Sequence, residues 1–367
     1  MEPDLHTVGR RFAIEGDFLS GGPYGHGHIN DTYAVVYRLG SRQRRCILQR
    51  INHMVFKNPE GLMVNIVAVT RHLSCKIRDA GGDPLRETLT VIPTLEGEAL
   101  LETEGGEYWR AYDFIEGART YETVERLDHV VSAGRAFGTF QRLLRDFPAH
   151  QLSETIPDFH HTRKRYDAFL KSMAGDSQDR ARQAQAEIEF VLRREPLMSV
   201  LVDRLSAGSL QQRITHNDTK FNNVMIDDRT GEGVCVIDLD TVMPGLSLYD
   251  YGDSIRSLAN TGAEDETDLS KVAFDLPVFD QYTRGYLQAA SDWLAQEEID
   301  LLPFAAQLMT LECGMRFLTD YLQGDTYFKT RRPEHNLDRC RTQLKLVKDM
   351  EASADQMAAV VQRWASQ

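Results

Sequence analysis

One segment limits the folds open to this chain more than any other. Ile214 to Ile226 reads Ile-Thr-His-Asn-Asp-Thr-Lys-Phe-Asn-Asn-Val-Met-Ile, and a second apolar run, Gly233 to Leu239, follows the turn Asp227-Asp228-Arg229-Thr230-Gly231. Two short apolar runs flanking a turn of Asp, Thr and Gly predict a hairpin. The hairpin brings Asn223, at the start of its first strand, beside Asp238, at the end of its second, although the two are well separated in sequence.

The polar positions of this segment form the pattern His216-x-Asp218-x-x-x-x-Asn223, then strand, turn, strand and Asp238. That is the catalytic-loop and metal-Asp arrangement of kinase-type phosphotransferases. Phosphoryl transfer asks a protein mainly to position groups and neutralise charge. A carboxylate that orients an acceptor hydroxyl and takes its proton suits Asp218. Magnesium prefers a few hard oxygen ligands, which suits Asn223 and Asp238. Lys220, two residues after Asp218, can reach a transferring phosphate as a point charge. The competing assignment makes His216 and Asp218 turn residues and Asp238 a strand cap.

Lys plus Arg is 42 and Asp plus Glu is 55, a formal net charge of −13. That surplus repels phosphate backbones and anionic lipid and argues against nucleic-acid or membrane-surface binding. It does not forbid a nucleotide pocket built from local cations, a metal and backbone N–H groups. Five widely spaced cysteines with no CxxC pair argue against a disulfide framework or structural zinc. The first residues lack a basic stretch followed by an apolar one, and no apolar run nears the roughly 18 residues of a membrane span. The expectation is a cytoplasmic protein in two domains or one bilobal unit.

Asn30–Leu39 and Arg45–Ile51 read as strands joined by Gly40–Gln43, and Asn58-Pro59 opens a helix that Gly81-Gly82 stops. Thr88–Thr94 and Glu107–Ile115 complete a small antiparallel sheet over 17–115. Beyond Gly117 the chain reads as helices: one carrying Gly134 and Gly138 for close approach of a neighbour, then roughly 161–173, 178–194 and 197–211. The acidic stretch 260–269 reads as a solvated loop or helix start.

The loop resembles the motif of the aminoglycoside phosphotransferase and choline kinase superfamily, which shares the protein kinase-like fold. More narrowly, HNDTKFNNVM, VIDLDTVMPGLSLYDYGDSIR, NTGAEDETDLSKV and RFLTDYLQGDTYFK, with YGHGHINDTY and LQRINHMVF near the N-terminus, resemble N-acetylhexosamine 1-kinases. The blocks span residue 24 to about 346. The resemblance implies an α+β, bilobal fold, with a sheet lobe over 1–115 and a helical lobe over 116–367. It also implies ATP- and Mg²⁺-dependent phosphorylation of the anomeric hydroxyl of GlcNAc or GalNAc. By the same resemblance Asp218 would be the base, Asn223 and Asp238 the magnesium ligands, and Arg316 and Tyr327 sugar contacts. His216 and Asp250 would support the catalytic loop. The Asp113 carbonyl and Ile115 amide, at the expected hinge, would meet adenine.

The chain departs from the kinase pattern at two places. Gly25-His-Gly27-His-Ile-Asn30 lacks a third glycine, and Ile47-Leu48-Gln49-Arg50 has no Lys, which leaves Arg50 or Gln49 to stand in for it. Arg differs from Lys in reach and geometry. A polar partner is expected for Arg316, either Asp320 or a sugar oxygen. Neither His26/His28 nor His160/His161 has zinc spacing, and no GxSxG, HExxH or P-loop occurs. The alternatives are a kinase of another small alcohol, such as choline or an aminoglycoside, and a nucleotide-binding pseudokinase.

Overall fold

The computed structural model describes residues 3–25, 29–176 and 178–367. Its N-terminal part comprises α1 (Leu5–Gly9), β1 (Asp17–Pro23), β2 (Asp31–Leu39), β3 (Arg42–Ile51), α2 (Pro59–Asp79), α3 (Pro84–Glu87), β4 (Val91–Ile92), β5 (Leu101–Glu102) and β6 (Tyr108–Asp113). The six strands form one antiparallel sheet in the order β1-β2-β3-β6-β4, with β5 also pairing β6. The β2–β3 hairpin pairs Leu39 with Arg42, so its turn is only Gly40-Ser41 and β3 starts earlier than expected. Gly40 at φ +61° permits so tight a connection. The Thr88–Thr94 strand is reduced to Val91–Ile92, because α3 occupies the residues just before Thr88.

β-Alternation gives this sheet two different faces. Val35, Tyr37, Cys46, Leu48, Trp109 and Ala111 pack under Val8 and Phe12 of the N-terminal segment. The other face turns Ile51 and Tyr112 toward α2, whose Leu62, Ile66, Val69, Leu73 and Ile77 continue into the main core. Asn58 caps α2 by accepting from Gly61 N at 2.9 Å, and the helix stops just before Gly81 at φ +80°.

The C-terminal part is mainly helical: β7 (Ala118–Arg119), α4 (Leu127–Leu143), α5 (Thr162–Gly175), α6 (Gln185–Leu192), α7 (Val200–Ser206), β8 (Arg213–Thr215), β9 (Val224–Asp227), β10 (Gly233–Val236), β11 (Met243–Gly245), α8 (Ser247–Leu258), α9 (Leu276–Ala290), α10 (Gln296–Asp300), α11 (Leu302–Gln323), α12 (His335–Ala352) and α13 (Ala354–Ala365). β9 and β10 form the expected hairpin, which β7 extends, and β8 pairs β11. β10 stops at Val236 rather than Leu239, since Asp238 turns left-handed at φ +60°. The helices expected over 178–194 and 197–211 shrink to α6 and α7.

α4 and α9 cross in near-contact. A Cβ on Gly134 would stand 2.4 Å from Tyr282 O, and one on Gly285 2.0 Å from Val131 O, so backbones meet where side chains normally intervene. The 260–269 stretch is a loop, but its acids are engaged: Asp265 faces His335 Nε2 at 2.8 Å and Glu264 faces Arg256 at 3.4 Å.

Candidate active site

The backbone of the 216–219 loop is held from below by buried acids. Asp250 on α8 is fully buried and accepts from His216 N at 2.9 Å, Asn217 N at 2.7 Å and Gln141 Nε2 at 2.7 Å. Tyr286 OH in turn donates to Gln141 Oε1 at 2.6 Å, so the α4–α9 crossing reaches the loop through two side chains. Burial pushes the Asp250 carboxyl up, while charge and hydrogen bonds from His216 and the amides of His216 and Asn217 pull the other way. One turn on, Asp253 accepts from Thr219 N at 2.9 Å and is clamped by Arg256 at 2.7 and 2.9 Å. The loop is over-determined, which permits the left-handed φ of +64° at Asn217.

His216 spans the base of the site. Its Nε2 lies 2.8 Å from Ile237 O and its Nδ1 3.3 Å from Asp218 N, and the Nε2–H tautomer satisfies both. The ring ties the catalytic loop to the backbone just before Asp238, and Phe137 and Phe140 meet it edge-on.

Four sequence-selected side chains come together above this base. Lys220 Nζ stands 2.8 Å from Asp218 Oδ1, and Asn223 Nδ2 donates to Asp218 O at 2.8 Å. Burial would raise the Asp218 carboxyl, but the Lys220 ammonium outweighs it and holds the group below the usual carboxylate range. Lys220 is raised reciprocally, first by Asp218. Asp238 opens to solvent within crowded surroundings and makes no hydrogen bond or ion pair with any described residue. That crowding, then the charges of Asp240 and Asp218, push it up to about 6.

This donor set fits magnesium. Asn223 spends its Nδ2 on Asp218, which leaves its carboxamide oxygen, and Asp238 offers an uncommitted carboxylate. Among the described residues no group of three or more His, Cys, Asp or Glu could hold a metal alone. Magnesium suits this arrangement, because it binds through one or two protein oxygens together with substrate phosphates.

On the other side of Asp218, His160 faces Asn217 O at 3.0 Å and Glu312 of α11 at 2.8 Å. Arg316, one turn after Glu312, has no hydrogen bond or ion pair with any described residue. Its guanidinium is bounded by the rings of Phe159 at 5.0 Å, Phe328 at 5.7 Å and Tyr327 at 6.0 Å. Asp320 is not its partner as expected, because that carboxylate accepts from the amides of Thr326, Tyr327 and Phe328 at 2.8–2.9 Å. Tyr327 is no core residue, being 59% exposed, whereas Tyr321 is buried.

The N-terminal assignments fare differently. Asp113 ends β6 with its carboxylate on Arg44 at 2.6 Å, and Ile115 packs with Ala118 and Cys235 while its N–H meets no described acceptor. Gly25 lies beside this segment, since Tyr24 meets the Phe114 ring edge-on at 5.4 Å. Gly27 lies outside the described residues. Arg50 is not brought to the site. Alternation puts it on the Trp109 face, where Asp31 at 2.6 Å and Glu107 at 2.5 Å occupy it. Gln49 and its cross-strand partner Arg110 occupy the α2 side, with Arg110 Nη1 2.5 Å from Asp240 Oδ1. Arg110 escaped the sequence reading, although an Arg within the strand Tyr-Trp-Arg-Ala-Tyr-Asp demands a buried partner.

Residues 21–292 match the phosphotransferase enzyme family. The chain is similar in fold to a microcompartment-associated aminopropanol kinase (16% identity, 96% of this chain and 98% of that one, TM-score 0.60). It is also similar to a choline kinase from Cryptosporidium parvum Iowa II (12%, 99% and 99%, TM-score 0.58). A spectinomycin phosphotransferase in complex with ADP and its substrate is likewise similar (14%, 93% and 94%, TM-score 0.53). With that match running from β1 past the 214–240 segment to the end of α9, the chain belongs to the phosphotransferase enzyme family.

Proposed function

We propose that this phosphotransferase uses ATP and Mg²⁺ to phosphorylate the anomeric hydroxyl of an N-acetylated hexosamine. The observation that carries the reading is Arg316, a guanidinium with no described ionic partner, set among Phe159, Tyr327 and Phe328 one helical turn from the contact chain to Asp218. An aromatic wall with an uncommitted donor suits a neutral, polyhydroxylated ring with a carbonyl substituent. A cationic acceptor, such as the amino alcohols named for two of the similar structures, would meet the like charge of Arg316 among these rings and would want a free carboxylate to offset it. Glu312 is committed to His160 and Thr162, and Asp320 to backbone amides.

In this reading residues 1–115 and 116–367 wall one cleft, with adenine against the Asp113 carbonyl and Ile115 amide and the phosphates near Gly25. Asn223 and Asp238 would hold Mg²⁺, which when bound neutralises phosphate charge. Asp218 accepts a hydrogen bond from the sugar O1–H. Held ionised by Lys220, it is a weak base, and a loose phosphoryl-transfer transition state asks mainly for orientation. The bond from O1 to the γ-phosphorus forms, the bond from that phosphorus to the β-bridging oxygen breaks, the proton passes to Asp218, and ADP leaves. Lys220 offsets charge on the transferring group.

The test is ADP release measured across GlcNAc, GalNAc, plain hexoses, choline, ethanolamine, aminopropanol and spectinomycin, with the product located by phosphorus NMR. Turnover confined to the amines, or phosphate on any hydroxyl but C1, would overturn the reading.

A further inference from the structure

The chain lacks a lysine on β3, and a deeply buried cation beside the 238–242 segment comes from another strand. Arg110 on β6 is 1% exposed. Its Nε and Nη2 donate to Gln49 Oε1 at 2.9 and 2.7 Å, and its Nη1 stands 2.5 Å from Asp240 Oδ1. That approach lies off the N–H axis, so Oδ1 receives no aligned hydrogen bond. Oδ2 of the same carboxylate accepts from Asn30 Nδ2 at 2.6 Å, and Asn30 Oδ1 accepts from Asn52 N at 2.9 Å.

Asp240 is thus a buried acceptor shared by the central sheet and by Asn30, just before β2. It lies two residues beyond Asp238, whose own carboxylate is uncommitted and whose backbone sits at φ +60°. A non-glycine residue persists in that conformation only when its surroundings enforce it. On the C-terminal side the segment is fastened by Thr241 Oγ1 donating to His216 O at 2.6 Å and by Asn65 of α2 donating to Val242 O at 3.1 Å. On the sheet side the Arg110–Asp240–Asn30 contact does this work.

We propose that Arg110 and Asn30 are positioning residues: through Asp240 they fix the 238–242 segment to the sheet and so set where the Asp238 carboxylate points. In this chain, which has no lysine on β3, the latch runs from the sheet to the 238–242 segment. The proposal rests on the phosphotransferase reading only for what the latch is for, not for whether it exists.

Two readouts separate these. The first is hydrogen exchange in ligand-free protein, comparing wild type with N30A and with the charge-free R110Q/D240N. The latch predicts exchange about tenfold faster or more in peptides covering 238–246, with α8 and α9 unchanged. The second is the rise in melting temperature on adding ADP with Mg²⁺ minus the rise with ADP and EDTA. That difference should fall by more than half in both variants, and R110K should recover part of it. Unchanged exchange over 238–246 in N30A overturns the latch even if the double variant does not fold. A wild-type magnesium increment in either folded variant overturns the positioning role. Absence of any ADP effect in the wild type would count against the nucleotide reading alone, because exchange still decides the latch.

Discussion

Lys220 Nζ lies 2.8 Å from Asp218 Oδ1, so the group assigned to the acceptor hydroxyl is held ionised by a half-exposed ammonium two residues on. Replacing Asp218 by Asn keeps the shape and removes the charge. We expect kcat to fall by a factor of about 10² to 10⁴, with ADP-induced stabilisation kept. A rate near wild type would remove Asp218 from its assigned role.

Arg316 predicts a split between the two substrates. It makes no ion pair or hydrogen bond with any described residue, so Arg316→Ala should cost only about 1 kcal/mol of stability, from its ring contacts and its charge on Glu312. The KM for the sugar should rise by about tenfold or more, the loss of one charge-assisted hydrogen bond, with the KM for ATP unaffected. Equal rises in both constants would place Arg316 outside the acceptor site.

The Asp250 bracket makes Gln141 matter at a distance. Gln141→Leu removes a donor to a buried carboxylate and an acceptor from the buried Tyr286 hydroxyl. The expected loss is about 2–4 kcal/mol in urea unfolding, with a smaller change in kcat than Asp218→Asn produces. A neutral substitution would show that the bracket is redundant.

The α4–α9 crossing gives a steric prediction. Gly285→Ala sets a Cβ 2.0 Å from Val131 O, a backbone atom that cannot swing aside, whereas at Gly22 nothing lies within 4 Å. Gly285→Ala should destabilise by about 3 kcal/mol or more, and Gly22→Ala by well under 1 kcal/mol, in the same unfolding assay.

Glu312 predicts acid sensitivity. Burial would raise its carboxyl, but the hydrogen bond and charge of His160, then Arg316 and Thr162, bring it below its ordinary value. A carboxyl lowered by folding stabilises fully above its unfolded pKa, about 4.3, and loses that contribution as pH falls through the lower folded value. Glu312→Gln should therefore be less stable by about 3–5 kcal/mol at neutral pH, and the gap should narrow below about pH 4. A gap constant with pH would refute this account.

Much of the site was legible because its groups are close in sequence or repeat a local pattern. The hairpin from Asn223 to Asp238 is closed by its own turn, and the spacing of Asp218, Lys220 and Asn223 places them on one loop whatever surrounds it. The same is true of α2, whose cap, apolar spacing and terminating glycines are all local. The glycines of α4 announced a close neighbour, though not that Tyr282 and Tyr286 of α9 would supply it.

What the chain by itself could not reveal depends on which face a strand shows and on partners far along the sequence. Arg50 and Gln49 are adjacent, yet alternation sends Arg50 to Asp31 and Glu107 and leaves Gln49 with Arg110. A buried cation beside the 238–242 segment is therefore Arg110, paired with Asp240 across 130 positions. Asp320, one turn from Arg316, was the natural ionic partner on a helix, but the 326–328 turn folds back and takes it. A buried charge selects its partner by desolvation, and only the assembled tertiary structure decides which opposite charge is buried with it.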